Sequence, residues 1–506
     1  MRGLRHVFRL GLTTALPFAV FADVRPGPLF RDGAVLQRDM PAPVWGEADP
    51  GEAVVVEWRG ARHETVADER GRWRVVLPAM PASTGPSELV VSGKNTVRVR
   101  DVLVGELWLC SGQSNMAWTV AQSADAGAEI AAADFPLIRH FQVAKTVAAR
   151  PAFSVAGAWK AASPKTAGDF SAVAYYFGRE LHRRLGVPVG LINASWGSTH
   201  IESWMSPAAL ASDPAFETVH RRWAEVVAAH PAKLAAHAEA LAAWEAAGRP
   251  AKRRPRSPDG PGGRLEPSGL HNGMIHPFTP AAIRGVIWYQ GESNSARHEE
   301  YARLFTGLIE SWRSEFARPG LPFYFVQLAS NIRRHDPSGE EFSHIREAQR
   351  TALALPGTGM AVTIDIGDPR NIHPSNKQDV GRRLARLALK RVHGLELEDS
   401  GPLPAFARRG KPDTGEVRVA FFHAAGLAAT DPALPGFEVA GADGVFFDAT
   451  ARLEGESVVL RSPRVGAPET VRYAWGNNPP SPLRNAAGLP ASPFVIPVAP
   501  AAGDAP

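Results

Sequence analysis

A serine hydroxyl is barely ionised at neutral pH. It becomes a nucleophile only where a base sits beside it and N–H donors face the oxyanion it creates. Four segments of the 506-residue chain carry residue types suited to that chemistry. The first is Cys110-Ser111-Gly112-Gln113-Ser114-Asn115-Met116, where Gly112 permits a tight turn that presents the Ser114 hydroxyl. The second is Asn193-Ala194-Ser195-Trp196-Gly197-Ser198-Thr199, in which Gly197 can offer a backbone N–H. The third is Ile287-Trp288-Tyr289-Gln290-Gly291-Glu292-Ser293-Asn294, with amide donors on Gln290 and Asn294 and close backbone approach at Gly291. The fourth, Asp365-Ile366-Gly367-Asp368-Pro369-Arg370-Asn371-Ile372-His373-Pro374, supplies a candidate base in His373. The pattern Gly112-Gln113-Ser114-Asn115-Met116 is not the G-x-S-x-G elbow, because Met116 stands where that motif has its second glycine.

What could bring these segments together is the alternation around them. Strand-like runs at 102–109, 187–192, 283–289, 323–328 and 360–366 alternate with helical spacing over 170–185, 298–316, 344–355 and 377–392. Strands alternating with helices predict a mostly parallel, doubly wound α/β sheet. Such sheets gather ligands at the carboxyl ends of their strands, and each of the four segments closes a predicted strand. Ser375 is the predicted N-cap of the last helix, and Gly394 lies just past its end.

The flanks differ. Residues 23–100 read as an all-β unit of short strands punctuated by Gly and Pro, and 401–498 turn β-like again. The α/β unit fills 101–400, with an Ala-rich helical insertion at about 206–265. The basic run Lys252-Arg253-Arg254-Pro255-Arg256 inside it reads as a solvated loop. Residues 1–22 combine Arg2, Arg5 and Arg9 with an apolar run ending in Val20-Phe21-Ala22, the pattern of a signal peptide. The expected protein is therefore exported, periplasmic or extracellular, with no stable membrane insertion after processing. Removing that segment takes three Arg and no acid from a formal charge of +5 and leaves +2, which does not suggest a nucleic-acid partner. The one cysteine, Cys110, excludes an intrachain disulfide and reads as a buried small apolar residue. His271, His276 and His298 match no zinc-ligand spacing, so neither metal nor cofactor is expected.

Residues 105–116 resemble the nucleophile block of the sialate O-acetylesterase family, which belongs to the GDSL/SGNH hydrolases. Segments 193–204, 271–277, 288–294 and 365–377 match further blocks in the same order, and the resemblance spans about 24–496. It implies a flavodoxin-like doubly wound parallel sheet of the SGNH type with flanking all-β regions. It further implies Ser114 as nucleophile, His373 as base, and an oxyanion hole from Ser114, Gly197, Gln290, Gly291 and Asn294. Many relatives in the wider superfamily place an Asp three residues before the His, where this chain has Arg370. The orienting acid is then Asp368, with Asp365 as second choice, or it is absent and a backbone carbonyl holds the imidazole. Gln113, Asn115, Glu292 and Asp365 fit supporting hydrogen-bond positions. The implied reaction is hydrolysis of O-acetyl esters on sugars, O-acetylated sialic acids foremost, through an acetyl-serine. Acetyl-xylan or another acetylated glycan is the second reading. A non-catalytic carbohydrate-binding protein is the third, and an intact Ser114 and His373 argue against it. The sequence leaves the oligomeric state open.

Overall fold

The computed structural model describes residues 23–249, 254–332, 335–410 and 414–500; the targeting segment read at 1–22 lies outside the described residues. Among the described residues no helix is long and apolar enough to cross a membrane.

The site is carried by seven strands of an eleven-stranded sheet: β1 (Thr96–Gly112), β2 (Phe135–Val143), β3 (Gly157–Ala162), β4 (Val189–Ser195), β5 (Gly285–Tyr289), β6 (Phe323–Val326) and β7 (Thr358–Ala361). Their order is β3-β2-β4-β1-β5-β6-β7. Every neighbouring pair is parallel except β3 with β2. Residues of β4, β5, β6 and β7 are buried along their whole length, as strands covered on both faces must be. That is why they read as continuous apolar runs. The edge pair β2 and β3 was not anticipated; β3 follows β2 with no helix between them and pairs antiparallel to it, which departs from a strand–helix alternation. The run expected to remain a strand to 366 instead ends at Ala361, and Ile364–Ile366 form a 3-10 turn.

The main helices are α1 (Ala172–Leu185), α2 (Glu217–Ala246), α3 (His298–Glu315), α4 (Glu341–Thr351) and α5 (Lys377–Arg391). In α1 the Ser171 side chain accepts from Ala174 N, and Gly186 closes the helix in the left-handed conformation. Helices α1 and α5 pack closely at Gly381, where a Cβ would lie 2.6 Å from the Tyr176 Cβ. The cap of α5 is Asn376, whose side chain accepts from Asp379 N at 3.1 Å, in place of the expected Ser375.

β1 is longer than the α/β reading requires. Its first part pairs with Val35–Gln37 and Ser83–Ser92 of the N-terminal β region, its last part with β4 and β5. The boundary drawn at residue 100 therefore falls inside one strand, and a single apolar core runs from Val24 to Leu389. The C-terminal β region keeps its own core, from Ala407 to Phe494, around an eight-stranded sheet. The two cores are tied by Arg346 of α4. It is fully buried, and its guanidinium donates to the carbonyls of Leu328, Ala329, Gly476 and Asn477.

Candidate active site

The turn that carries Ser114 is made possible by Gly112 at the end of β1. Its φ is +139°, and a Cβ there would lie 2.1 Å from the carbonyl oxygen of Tyr289. Only glycine lets β1 close this tightly on β5. Gln113 N then donates to Tyr289 O at 3.0 Å, and the chain enters a single helical turn, Ser114–Ala117. From the other side, Trp196 N donates to Gly112 O at 3.1 Å. That bond brings Gly197 against the serine, where an added Cβ would be 3.1 Å from Ser114 Cβ. Among the described residues the backbone N–H groups of Ser114 and Gly197 have no acceptor. The first N–H groups of a helical turn lack an intrahelical partner and are natural anion donors.

His373 arrives on the loop between β7 and α5, and its Nε2 lies 2.8 Å from Ser114 Oγ. Three contacts fix the imidazole. Trp118 stacks on it, with ring centroids 4.6 Å apart and planes 16° from parallel. Trp118 is itself held by its Nε1, which donates to Gln122 O at 2.8 Å. His373 N donates to Asn371 Oδ1 at 2.9 Å, and Asn115 Nδ2 donates to the Ile372 carbonyl at 3.0 Å. Burial first, and the Lys377 ammonium second, hold the His373 pKa below its ordinary value.

Neither acid expected to orient the imidazole does so. The Asp368 carboxylate accepts from the backbone N–H groups of Arg370 at 2.8 Å and Asn371 at 3.2 Å, capping its own turn. Asp365 takes a bidentate fork from Arg383, at 2.6 and 2.8 Å, and a further bond from Arg484 at 2.8 Å. Burial pushes its carboxyl up, but the two guanidinium groups outweigh this and hold it below the usual carboxylate range. Among the described residues no carboxylate is hydrogen-bonded to His373.

The donors expected from the β5 turn are also committed elsewhere. The Gln290 amide gives its two N–H groups to Thr199 O and Asn294 Oδ1, while its oxygen accepts from the Tyr301 hydroxyl. Asn294 is fully buried; its Oδ1 also accepts from Ile201 N, and its Nδ2 donates to Glu202. Gly291, at φ +155°, packs against Ile345 and Leu328. These residues lock the β5 turn to the segment that carries Gly197. Of the expected oxyanion positions, only the Ser114 and Gly197 backbones meet at the serine.

The supporting positions do converge. Glu292 accepts from Gln113 Nε2 at 2.6 Å and from Asn115 Nδ2 at 2.5 Å. Asn115 Oδ1 in turn accepts from the buried Lys377 Nζ at 2.6 Å. Sequence reasoning missed Lys377 because a lysine at the first position of an amphipathic helix reads as a solvated charge. It missed Trp118 because a tryptophan four residues after a serine has no distinguishing pattern. For a metal, the described residues offer one cluster of His and carboxylate ligands, Glu398, Asp399 and His423. There His423 Nδ1 donates to Glu398 Oε1 at 2.8 Å. The cluster sits past the far end of α5, away from the strand ends that bear Ser114.

Comparison with known proteins identifies the family. A family model described as carbohydrate esterase, sialic acid-specific acetylesterase, matches residues 269–390. The chain is 32% identical over 441 residues to a human sialate O-acetylesterase, covering 78% of this chain and 77% of the relative. It is 33% identical over 410 residues to the rat protein of that name, covering 73% and 74%. The crystal structure of a carbohydrate acetylesterase from Xanthomonas citri superposes with a TM-score of 0.79 at 39% identity, covering 94% of this chain and 99% of the other. The chain belongs to the sialate O-acetylesterase family of carboxylic ester hydrolases.

Proposed function

We propose that the chain is a serine carbohydrate O-acetylesterase that works through an acetyl-serine. The observation that carries this reading is the 2.8 Å contact between His373 Nε2 and Ser114 Oγ, beside two unpartnered backbone N–H groups. Nε2 accepts the serine proton as Oγ bonds to the acetyl carbonyl carbon, and the Ser114 and Gly197 N–H groups receive the oxyanion. The imidazolium then protonates the departing sugar oxygen as the ester C–O bond breaks. Water adds to the acetyl-enzyme by the reverse proton route, releasing acetate and the free serine. No carboxylate takes part; this is a dyad, and the stacked Trp118 ring stabilises the transient imidazolium through its π face.

The β4-β1-β5-β6-β7 part of the sheet has the flavodoxin-like order, and we assign the fold to the SGNH type on that basis. The relatives named sialate O-acetylesterase favour O-acetylated sialic acids as substrate. The 39% identical Xanthomonas citri carbohydrate acetylesterase favours a second reading, an acetylated glycan such as acetyl-xylan. The pattern of residues 1–22 supports export to the periplasm or beyond. Acetate release from 9-O-acetylated sialic acid and from acetyl-xylan, for wild type, Ser114→Ala and His373→Ala, tests the whole reading. We expect Ser114→Ala to lose at least about 10³-fold in kcat on the better substrate. Retention of wild-type turnover by that variant would remove the proposal.

A further inference from the structure

Lys377 begins α5 and its side chain is fully buried. A lysine is almost never buried without a charged partner, and desolvating an ammonium is expensive. Lys377 Nζ nonetheless makes its hydrogen bond to a neutral group, Asn115 Oδ1, at 2.6 Å, and lies 5.5 Å from the Tyr289 ring centroid. A hydrophobic side chain of similar volume would stabilise such a site at least as well. What distinguishes the position is its reach. Asn115 directly follows Ser114, and its amide nitrogen donates both to Glu292 and to the carbonyl of Ile372, the residue before His373. One asparagine thus joins the nucleophile turn, the base loop, a buried carboxylate and a buried ammonium.

We propose that Lys377 is a positioning and charge-setting residue for His373, acting through Asn115 on the base loop and through its own ammonium on the imidazole. This rests on His373 being the base. Most serine hydrolases hold the imidazole from a carboxylate, which stabilises its charged form. Here the charge that acts on His373 is positive. The groups facing the pair are Glu292 from the β5 turn, Tyr289 at the end of β5, and Arg346 of α4 beside Tyr289. Burial pushes the Lys377 ammonium down to about 7 while Glu292 pulls it up. Burial first, and this ammonium second, hold the His373 pKa below its ordinary value. A positive charge in this cluster favours the neutral imidazole, the form that acts as a base.

The test is the pH dependence of kcat/KM with 4-nitrophenyl acetate for wild type, Lys377→Met and Lys377→Gln, with Ser114→Ala and His373→Ala measured alongside. Lys377→Gln removes the charge but can still donate to Asn115 Oδ1; Lys377→Met removes both. The acid limb should move up by about 0.5–1 pH unit in both variants, the size expected when a nearby like charge is removed. The plateau should fall about tenfold or more in Lys377→Met and less in Lys377→Gln, because only the former frees the base loop. Thermal unfolding identifies a variant that has not folded, and the other lysine variant then decides. A folded variant whose acid limb coincides with wild type, while Ser114→Ala and His373→Ala are inactive, overturns the role of Lys377 and leaves the dyad standing. Activity in Ser114→Ala or His373→Ala would instead remove the reading on which the role rests.

Discussion

Asp368→Asn separates a dyad from a triad. In the wild-type structure Asp368 Oδ1 accepts from Arg370 N at 2.8 Å and Asn371 N at 3.2 Å, and asparagine keeps that oxygen. What is lost is the charge assistance on two exposed bonds, about 0.5–1 kcal/mol of loop stability. If all of it appeared in the barrier, the rate would fall by no more than about fivefold. An acid that orients a catalytic imidazole behaves differently: the corresponding Asp→Asn change in a serine protease costs about 10⁴-fold in kcat. The two expectations differ by roughly three orders of magnitude, beyond any uncertainty in the loop energetics. Asp368→Ala, which removes the turn cap altogether, should lose about 1–3 kcal/mol of local order and more activity than the Asn variant. Initial rates of acetate release, with circular dichroism to check folding, are sufficient. A drop of about 10³-fold or more in kcat/KM for folded Asp368→Asn would refute the dyad.

Trp118→Ala should lower kcat about 10–100-fold with little change in unfolding temperature, because it removes the ring that fixes and stabilises the imidazolium, worth about 1–3 kcal/mol; near wild-type kcat would count against this. Gly197→Ala puts a methyl 3.1 Å from Ser114 Cβ and should displace an oxyanion donor, with a loss of about 10²-fold in kcat; single-turnover rates locate the loss in acylation. Because the His373 pKa is lowered, the acid limb of kcat/KM should be centred below the ordinary histidine value. An acid limb centred above the ordinary histidine value contradicts this. Asp365→Asn leaves Arg383 and Arg484 without their shared carboxylate and should cost about 2–4 kcal/mol at neutral pH. The Asp365 pKa is depressed in the folded state, so its contribution is complete above the unfolded carboxyl value and is lost as pH falls through the folded one. Denaturant midpoints for variant and wild type should therefore converge at low pH.

The serine and histidine were legible because their signal is topological. A strand buried on both faces reads as an unbroken apolar run, and the polar residues that end it must sit at its carboxyl edge. That logic marked out Ser114, Gly197 and His373 as candidates, the family resemblance gave them roles, and the structure brings them together. It failed for Gln290 and Asn294 because an amide is an equally good oxyanion donor and buried bracket, and sequence does not reveal which acceptors are near. The Gln290 bonds to Thr199 and Asn294 are visible only once the β4 and β5 turns are adjacent. Asp368 failed for a related reason: an Asp followed by Pro fits an imidazole partner or a turn cap, and the side chain satisfied its closest N–H groups first. The split at residue 100 failed because a strand has no period change where it passes from one partner set to another.

The C-terminal β region can be read from the same contacts. The base loop, between β7 and α5, has little secondary structure of its own, and ordering each of its residues costs about 1–2 kcal/mol. Productive geometry at Ser114 nevertheless requires His373 to be held within about half an ångström. The nucleophile turn supplies one tether, Asn115 to the Ile372 carbonyl. Arg383 of α5 supplies another at Asp365, and further ones run toward the C-terminal region. Arg484 grips Asp365 at the start of the loop. Asn331 donates its side chain to the Asp368 carbonyl, while its own N–H is tied to the Asn477 carbonyl. Arg346 fixes the same Asn477 carbonyl from inside α4. Each contact reaches backbone or a buried carboxylate, the least mobile groups available. A module that merely carried a glycan-binding face would need no such grip on the catalytic loop. These bonds tie the C-terminal region to the loop that carries His373, so on the proposed dyad deleting it should abolish esterase activity even toward a small substrate such as 4-nitrophenyl acetate.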